Sequence, residues 1–157
     1  MTVAYALKSL IENKIFLATV ISLITAQVLK LVFYLFRTKK KKKWEAIETV
    51  IWRTGGMPSS HSAVVCSLAT AIGICEGITS TYFILSLIFA LVVLRDSVGV
   101  RRAAGLQAKA LNNLGKQFAK YSGQEFHSIK EIQGHTPLEV LVGSCLGVLI
   151  SVIFFLF

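Results

Sequence analysis

The sequence predicts an all-α protein: an integral membrane helical bundle with about four transmembrane helices and a cytoplasmic interfacial amphipathic helix. Hydrophobic residues make up 54% of the 157 residues and charged residues only 16%, whereas a soluble domain carries about 25% charged residues. The net charge is nevertheless +9. An apolar chain with a basic excess is typical of a membrane protein whose cations lie in a few loops. We therefore expect no nucleic-acid partner.

Apolar residues occur in four blocks, which predict spans at about 15–37, 58–76, 80–97 and 136–157 of a single membrane-embedded domain, 1–157. Crossing the bilayer core takes about 20 residues of helix. The first and last blocks meet this length. The second and third are shorter and need flanking residues or a locally thinned bilayer. So many apolar blocks in so short a chain favour a membrane protein over a soluble one with buried helices.

Residues 100–120 have a different pattern, with apolar side chains at helical spacing and basic or amide side chains between them. This pattern predicts an amphipathic helix at the membrane interface. Residues 121–134 are expected to form a loop. The small-residue pairs Gly73-x-x-x-Gly77 and Gly143-x-x-x-Gly147 allow close helix contacts, either within one chain or in a homodimer.

The loops predict the orientation in the membrane. Loops 37–57 and 95–134 contain many cations, and the turn 76–80 contains none. By the positive-inside rule, the two basic loops are cytoplasmic, and the turn and both termini lie outside. The lysine run at 39–43 is expected to anchor on anionic membrane lipids, each lysine contributing about 1 kcal/mol near the surface. We expect the membrane to be a bacterial cytoplasmic membrane.

Residues suited to chemistry lie at the predicted cytoplasmic ends of the spans. Lys30 and Arg37 are about two helical turns apart and share one helix face. A charge within a span is costly and marks a candidate site, although Lys30 could simply extend its amine to the interface. The second span begins with Pro58-Ser59-Ser60-His61. Its hydroxyls lie beside the free N–H groups of a helix N-terminus, which bind anions, and His61 can donate a proton near neutral pH.

The third span ends at Asp96, which is followed by Arg101 and Arg102. Guanidinium groups suit phosphate oxygens. Asp96 could pair with one of the arginines or order the site, and the arginines could also serve only as topology signals.

His135 precedes the fourth span, where Thr136 and Glu139 form a capping-box pattern. Glu139 follows His135 by one helical turn and could also accept a hydrogen bond from its ring. That bond would fix the tautomer and leave the other ring nitrogen as a nucleophile. The two roles of Glu139 are compatible.

Together these residues resemble the divergent branch of the type 2 phosphatidic acid phosphatase superfamily, which is related to acid phosphatases and vanadium-dependent haloperoxidases. Lys30 and Arg37 match its first motif (Lys, six residues, Arg, Pro), with Thr38 for proline. Pro58-Ser59-Ser60-His61 matches the second, Pro-Ser-Gly-His, with serine for glycine. The resemblance covers most of residues 27–143.

The third motif is Arg, five residues, His, three residues, Asp. His135 and Glu139 match it, with glutamate for aspartate, and Ile129 stands in place of the arginine. We expect Arg101 or Arg102 to supply the missing charge from the preceding segment.

The resemblance implies a phosphatase that needs neither metal nor cofactor. His135 would be the nucleophile that forms a phosphohistidine, with Glu139 orienting it, and His61 would be the general acid. Lys30, Arg37, Ser59 and Ser60 would bind the phosphate. Beyond the resemblance, we expect Arg101 or Arg102 to contribute to phosphate binding, with Asp96 in a supporting role.

We therefore expect a lipid phosphatase at the cytoplasmic leaflet. Its substrate would be a phosphorylated lipid, a monoester or a diphosphate, such as phosphatidylglycerophosphate, phosphatidic acid or polyprenyl phosphate. One alternative is a non-catalytic membrane protein that binds an anionic lipid or its headgroup. Another is a metal-dependent hydrolase that uses Asp96, Glu139 and the histidines.

Overall fold

The computed structural model describes residues 3–37, 56–131 and 134–157, and these residues contain helices and no β-strand. The helices are α1 (Val3–Glu12), α2 (Lys14–Arg37), α3 (Ser60–Glu76), α4 (Thr81–Val98), α5 (Val100–Ser122) and α6 (Pro137–Leu156). The prediction of an all-α fold is confirmed. The lysine run 39–43, Thr38 and Gly55 lie outside the described residues, as does the side chain of Arg37.

Three segments are long and apolar enough to cross a membrane: Lys14–Phe36, Thr81–Ser122, which contains α4 and α5, and Pro137–Leu156. The helix at the second predicted span, α3, has 17 residues, about 25 Å of helix against a hydrocarbon core of about 30 Å. It packs against α2, α4 and α6 and so lies at the centre of the bundle. Its buried residues are mostly small: Ser60, Ser62, Ala63, Val65, Ser67, Ala69 and Ala71.

Glycines of α6 bring that helix against the backbone of α3. A Cβ added at Gly143 would lie 3.1 Å from the Ser59 nitrogen, and one added at Gly147 would lie 3.0 Å from the Ala63 Cα. Only glycine permits this approach. The Gly143-x-x-x-Gly147 pair thus joins two helices of the same chain, and a homodimer stays a prediction.

Buried serines connect the same helices by hydrogen bonds. The Ser67 and Ser151 hydroxyls are 2.7 Å apart, and Ser151 also lies 2.9 Å from the Ser67 carbonyl oxygen. Ser22 on α2 donates to the Ala63 carbonyl at 3.2 Å. Each interhelical bond of this kind contributes about 0.6 kcal/mol in a membrane. Their combined effect is to fix α2, α3 and α6 relative to one another.

Helix α5 leaves the bundle at Gly99, whose N–H donates to the Arg95 carbonyl at 2.8 Å. Among the described helices it packs only on α4. Apolar residues such as Leu111, Leu114 and Phe118 are exposed along it. The predicted amphipathic helix is therefore present at 100–122, and its location at a membrane interface stays a prediction.

Helix α1 is an element that no sequence pattern identified. It is joined to α2 at Asn13, whose side-chain oxygen accepts from the Ile15 and Phe16 N–H groups at 2.9 and 3.1 Å. Asparagine is among the residues preferred for such capping.

Candidate active site

The candidate site lies where the N-termini of α3 and α6 meet. Ser59 caps α3 and Thr136 caps α6, in both cases by accepting a backbone N–H at the third residue beyond the cap. The Ser59 N–H also donates to the Glu139 carbonyl at 3.1 Å. This bond joins the start of one helix directly to the first turn of the other, so the residues at the two helix starts are held together.

This arrangement brings the two predicted histidines to face one another. The ring centroids of His61 and His135 are 6.4 Å apart, with the ring planes inclined at 63°. His61 lies in the first turn of α3 and is exposed, whereas His135 lies just before α6 and is only 4% exposed. One accessible and one sheltered imidazole thus border the same space.

Glu139 makes both of the contacts that the sequence left open. Its Oε2 accepts from the Thr136 N–H at 3.0 Å and lies 3.2 Å from His135 Nδ1. Its own N–H donates to Thr136 Oγ1 at 3.4 Å, which completes the capping box. Because a carboxylate only accepts hydrogen bonds, this contact favours the tautomer with the proton on Nδ1 and leaves Nε2 with a free lone pair.

The surroundings of His135 lower its pKa below the usual value of 6.5. Burial is the main cause, because it penalises the charged imidazolium. The hydrogen bond and charge of Glu139 raise the pKa, while the charges of Lys30 and Arg101 lower it. His135 is therefore held in the neutral form that can act as a nucleophile.

Lys30 is 5% exposed and reaches the site from α2. It lies close enough to Glu139, His61 and His135 for its charge to act on all three. Gly56 covers its stem: a Cβ there would lie 3.3 Å from the Lys30 Cε, and the backbone φ of +94° also favours glycine. The glycine before the second motif thus allows a close approach to the lysine.

Arg101 is the better placed of the two candidate arginines. Its Nε donates to Asp96 Oδ2 at 2.7 Å, and its side chain is 48% exposed. Its charge acts on both His61 and His135. For Arg102, by contrast, the structure describes a contact of the backbone. This backbone lies so close to Gly134 that a Cβ on the glycine would collide with it.

The remaining predicted phosphate ligands differ in accessibility. The Ser59 hydroxyl is fully buried and accepts from the Ser62 N–H at 3.4 Å and the Ser62 hydroxyl at 2.9 Å. It caps a helix, and contact with a phosphate stays a prediction for it and for the buried Ser60. Arg37 ends α2, and its side chain lies outside the described residues.

The metal alternative requires a donor set that the described part of the chain does not assemble. Within residues 3–37, 56–131 and 134–157, no group of three or more histidine, cysteine, aspartate or glutamate side chains could hold an ion. Asp96 is engaged with Arg101, and Glu139 with Thr136 and His135.

Two contacts of the segment before His135 could not be predicted from the sequence. Gly134 packs on the first turn of α5, and Asn112 binds the segment 129–131. Glycine and asparagine are common in loops and on exposed helices, so neither is distinguished by residue type alone. Both contacts join parts of the chain that are distant in sequence.

The comparisons with known proteins agree with this assembly of motifs. A family model described as the divergent PAP2 family matches residues 11–150. The uncharacterized membrane protein YuiD of Bacillus subtilis (strain 168) is 36% identical over 155 residues, covering 92% of this chain and 95% of that protein. No solved structure matches the chain. The chain is a membrane protein with helices able to span the bilayer, and it belongs to the divergent PAP2 family.

Proposed function

We propose that this protein is a lipid phosphatase that hydrolyses a phosphomonoester or diphosphate of a membrane lipid. The observation that carries the proposal is the 6.4 Å approach of His61 and His135, at the starts of different helices, beside the buried Lys30. An acid and a nucleophile must lie on either side of a phosphoryl group, with cations around its oxygens.

In the proposed reaction, His135 Nε2 attacks phosphorus while the bond to the lipid oxygen breaks. His61 gives its proton to that oxygen, and the lipid leaves with one phosphate fewer. Water then attacks the phosphohistidine, with neutral His61 taking a proton from it. The P–N bond breaks, and inorganic phosphate is released as the lone pair returns to Nε2. Glu139 holds the Nδ1 proton throughout, at 3.2 Å.

The cations of the site stabilise the phosphoryl oxygens in both steps. Lys30 and Arg101 supply positive charge from α2 and α5, and their charges already act on both histidines. Arg37 is expected to join them from the end of α2. Positioning and electrostatic stabilisation are the main sources of catalysis in phosphoryl transfer.

We further propose that the site faces the headgroups of the cytoplasmic leaflet. Helix α5 begins beside the site and contains no acidic residue but five cations: Arg101, Arg102, Lys109, Lys116 and Lys120. Its apolar residues are exposed. A basic amphipathic helix of this kind fits an anionic bilayer surface, and α5 continues directly from the apolar helix α4.

Orientation is tested by labelling with a membrane-impermeant maleimide. Cys75 is exposed at the end of α3 beside the turn predicted to lie outside, and Cys66 and Cys145 are replaced by serine. Labelling of intact cells supports a cytoplasmic site at the opposite end of α3. Labelling only after the membrane is broken would reverse the orientation.

Function is tested with purified protein in lipid vesicles that contain phosphatidylglycerophosphate, phosphatidic acid or polyprenyl phosphate. Phosphate release is measured with and without EDTA for wild type, His135→Ala and His61→Ala. His127→Ala serves as the matched control, because this histidine is exposed in the loop after α5. We expect release that EDTA does not change, that both site variants lose and that the control retains.

The same experiment discriminates the alternatives. Full activity in both site variants would exclude the proposed roles. Lipid binding without turnover, unchanged in His135→Ala, would favour a binding protein. This alternative is tested because isoleucine occupies the third-motif arginine position. Loss with EDTA and recovery with a divalent cation would favour a metal-dependent hydrolase.

A further inference from the structure

Asn112 is the one buried residue of the exposed helix α5, at 3% exposure. Its Nδ2 donates to the Ile129 carbonyl and to Glu131 Oε1, both at 2.9 Å. Its Oδ1 accepts from the Ile129 N–H, also at 2.9 Å. The side chain therefore satisfies both backbone groups of Ile129 as well as one carboxylate oxygen.

The residues that Asn112 binds lie just before the site. Three residue steps separate Glu131 from Gly134, a chain distance of about 10 Å at most, and His135 follows directly. Gly134 packs on the backbone of Arg101 and Arg102 in the first turn of α5. Helix α5 thus contacts the chain at both 129–131 and 134.

Within the described part of the chain, few other contacts fix the segment that follows α5. Residues 123–131 are all exposed. Phe126 lies against Gly115, so closely that a Cβ on that glycine would collide with its ring. That contact lies three residues before Ile129, whereas the bonds of Asn112 fix the part of the segment nearest to His135.

We propose that Asn112 is a positioning residue for His135: it fixes residues 129–131 on α5 and thereby sets where the imidazole stands relative to His61 and the phosphate. The catalytic part rests on the proposed function. The anchoring part stands by itself and has its own measurement. Displacing a reacting group by about 1 Å can lower a rate by about a hundredfold, so loss of an anchor four to six residues before the nucleophile is expected to lower the rate.

The main variant is Asn112→Asp. The new carboxylate can still accept from the Ile129 N–H, but it cannot donate to the Ile129 carbonyl and it faces the like charge of Glu131. Asn113→Asp is the matched control, because it adds the same charge one residue along at an exposed position. We expect kcat to fall by about tenfold to a hundredfold in Asn112→Asp, with KM within about twofold, and the control to resemble wild type.

A second substitution tests the contact itself. In Asn112→Asp with Glu131→Gln, the new amide can donate to the new carboxylate, which removes the repulsion and restores a hydrogen bond. We expect the double variant to recover most of the lost kcat. Equal losses in the single and double variants, or a loss confined to KM, would overturn the positioning role.

Anchoring is measured without substrate by limited trypsin digestion at Lys130, which lies between the two residues that Asn112 binds. Cleavage after Lys130 should be faster in Asn112→Asp than in wild type and Asn113→Asp. Carbethoxylation of His135, located by peptide mass spectrometry, should also be faster, because the imidazole would be less sheltered. Unchanged cleavage and modification would overturn the proposal.

Failure of the proposed function has a different result. Wild-type inactivity on every lipid would overturn the proposed function and the catalytic part of this proposal, while the rates of cleavage and carbethoxylation would still decide the anchoring.

Discussion

Glu139→Gln separates the capping of a helix from the orientation of a nucleophile. In the wild type one carboxylate oxygen serves both the Thr136 N–H at 3.0 Å and His135 Nδ1 at 3.2 Å. An amide oxygen in the same place can still accept from both groups, but it carries no negative charge. In the other orientation of the amide, the nitrogen, which only donates, faces His135, so the ring proton moves to Nε2 and the nucleophilic lone pair is lost.

The expected size of the effect is set by the charged contact that is lost when the amide nitrogen faces His135. A hydrogen bond to a charged group contributes about 1.5–3 kcal/mol. At about 1.4 kcal/mol for each factor of ten, kcat should fall by about tenfold to a hundredfold. The helix cap can survive through the amide oxygen, so the melting temperature should change little.

The pH dependence of activity gives a second test, because a role in capping alone predicts no shift of the acid limb. His135 attacks only when neutral, so wild-type activity falls as the pH drops through the pKa of this histidine, which burial has lowered. Glu139 is the group that raises this pKa, against burial and the charges of Lys30 and Arg101. His61 also faces the ring. Removing the carboxylate lowers the pKa further, so the acid limb of kcat/KM should move to lower pH although the plateau falls.

Thr136→Ala is the control for this prediction. It removes the hydroxyl that accepts from the Glu139 N–H at 3.4 Å and leaves the contact between Glu139 and His135. Loss of such a cap costs about 1 kcal/mol of stability. It should lower the melting temperature without moving the acid limb. An unmoved or alkaline-shifted limb in Glu139→Gln, or the same kcat loss in Thr136→Ala, would refute the orienting role.

Three other substitutions test the remaining parts of the site and the fold. Lys30→Met should lower kcat/KM by about a hundredfold, because it removes a preorganised cation; an unchanged rate of phosphate release would remove Lys30 from the site. Arg101→Ala should lower kcat/KM by about tenfold or more, and Arg102→Ala should have a smaller effect; the reverse order would assign the charge to Arg102. Gly147→Val should destabilise the bundle by about 1–3 kcal/mol by overpacking in thermal unfolding, whereas Cys145→Val, at an exposed position of α6, should not.

The apolar helices could be predicted from sequence because hydropathy over about 20 residues reports on the solvent and needs no knowledge of contacts. The candidate site could be predicted for a related reason: ionisable groups at span ends are costly unless they function. Lys30, His61 and His135 stood out for that reason, and the fold brings them together.

Contacts that depend on a distant backbone could not be predicted in the same way. The buried carboxamide of Asn112 and the close approach of Gly134 to α5 join residues whose local sequence is ordinary. The sequence indicates the short length of α3 but not its position in the bundle. The second apolar block is short in the sequence, but the central position of α3 depends on small residues that let three helices approach it.

The structure gives a reason why isoleucine can occupy the third-motif arginine position. Ile129 is bound through its backbone to Asn112, which lies eleven residues along α5 from Arg101, about 16 Å of helix. A side chain at 129 therefore begins several turns of α5 away from the position of Arg101. Arg101, held by Asp96 at 2.7 Å, already brings its charge to both histidines. The geometry favours a site in which the third cation comes from the start of α5, so the loss of the motif arginine does not by itself argue against catalysis.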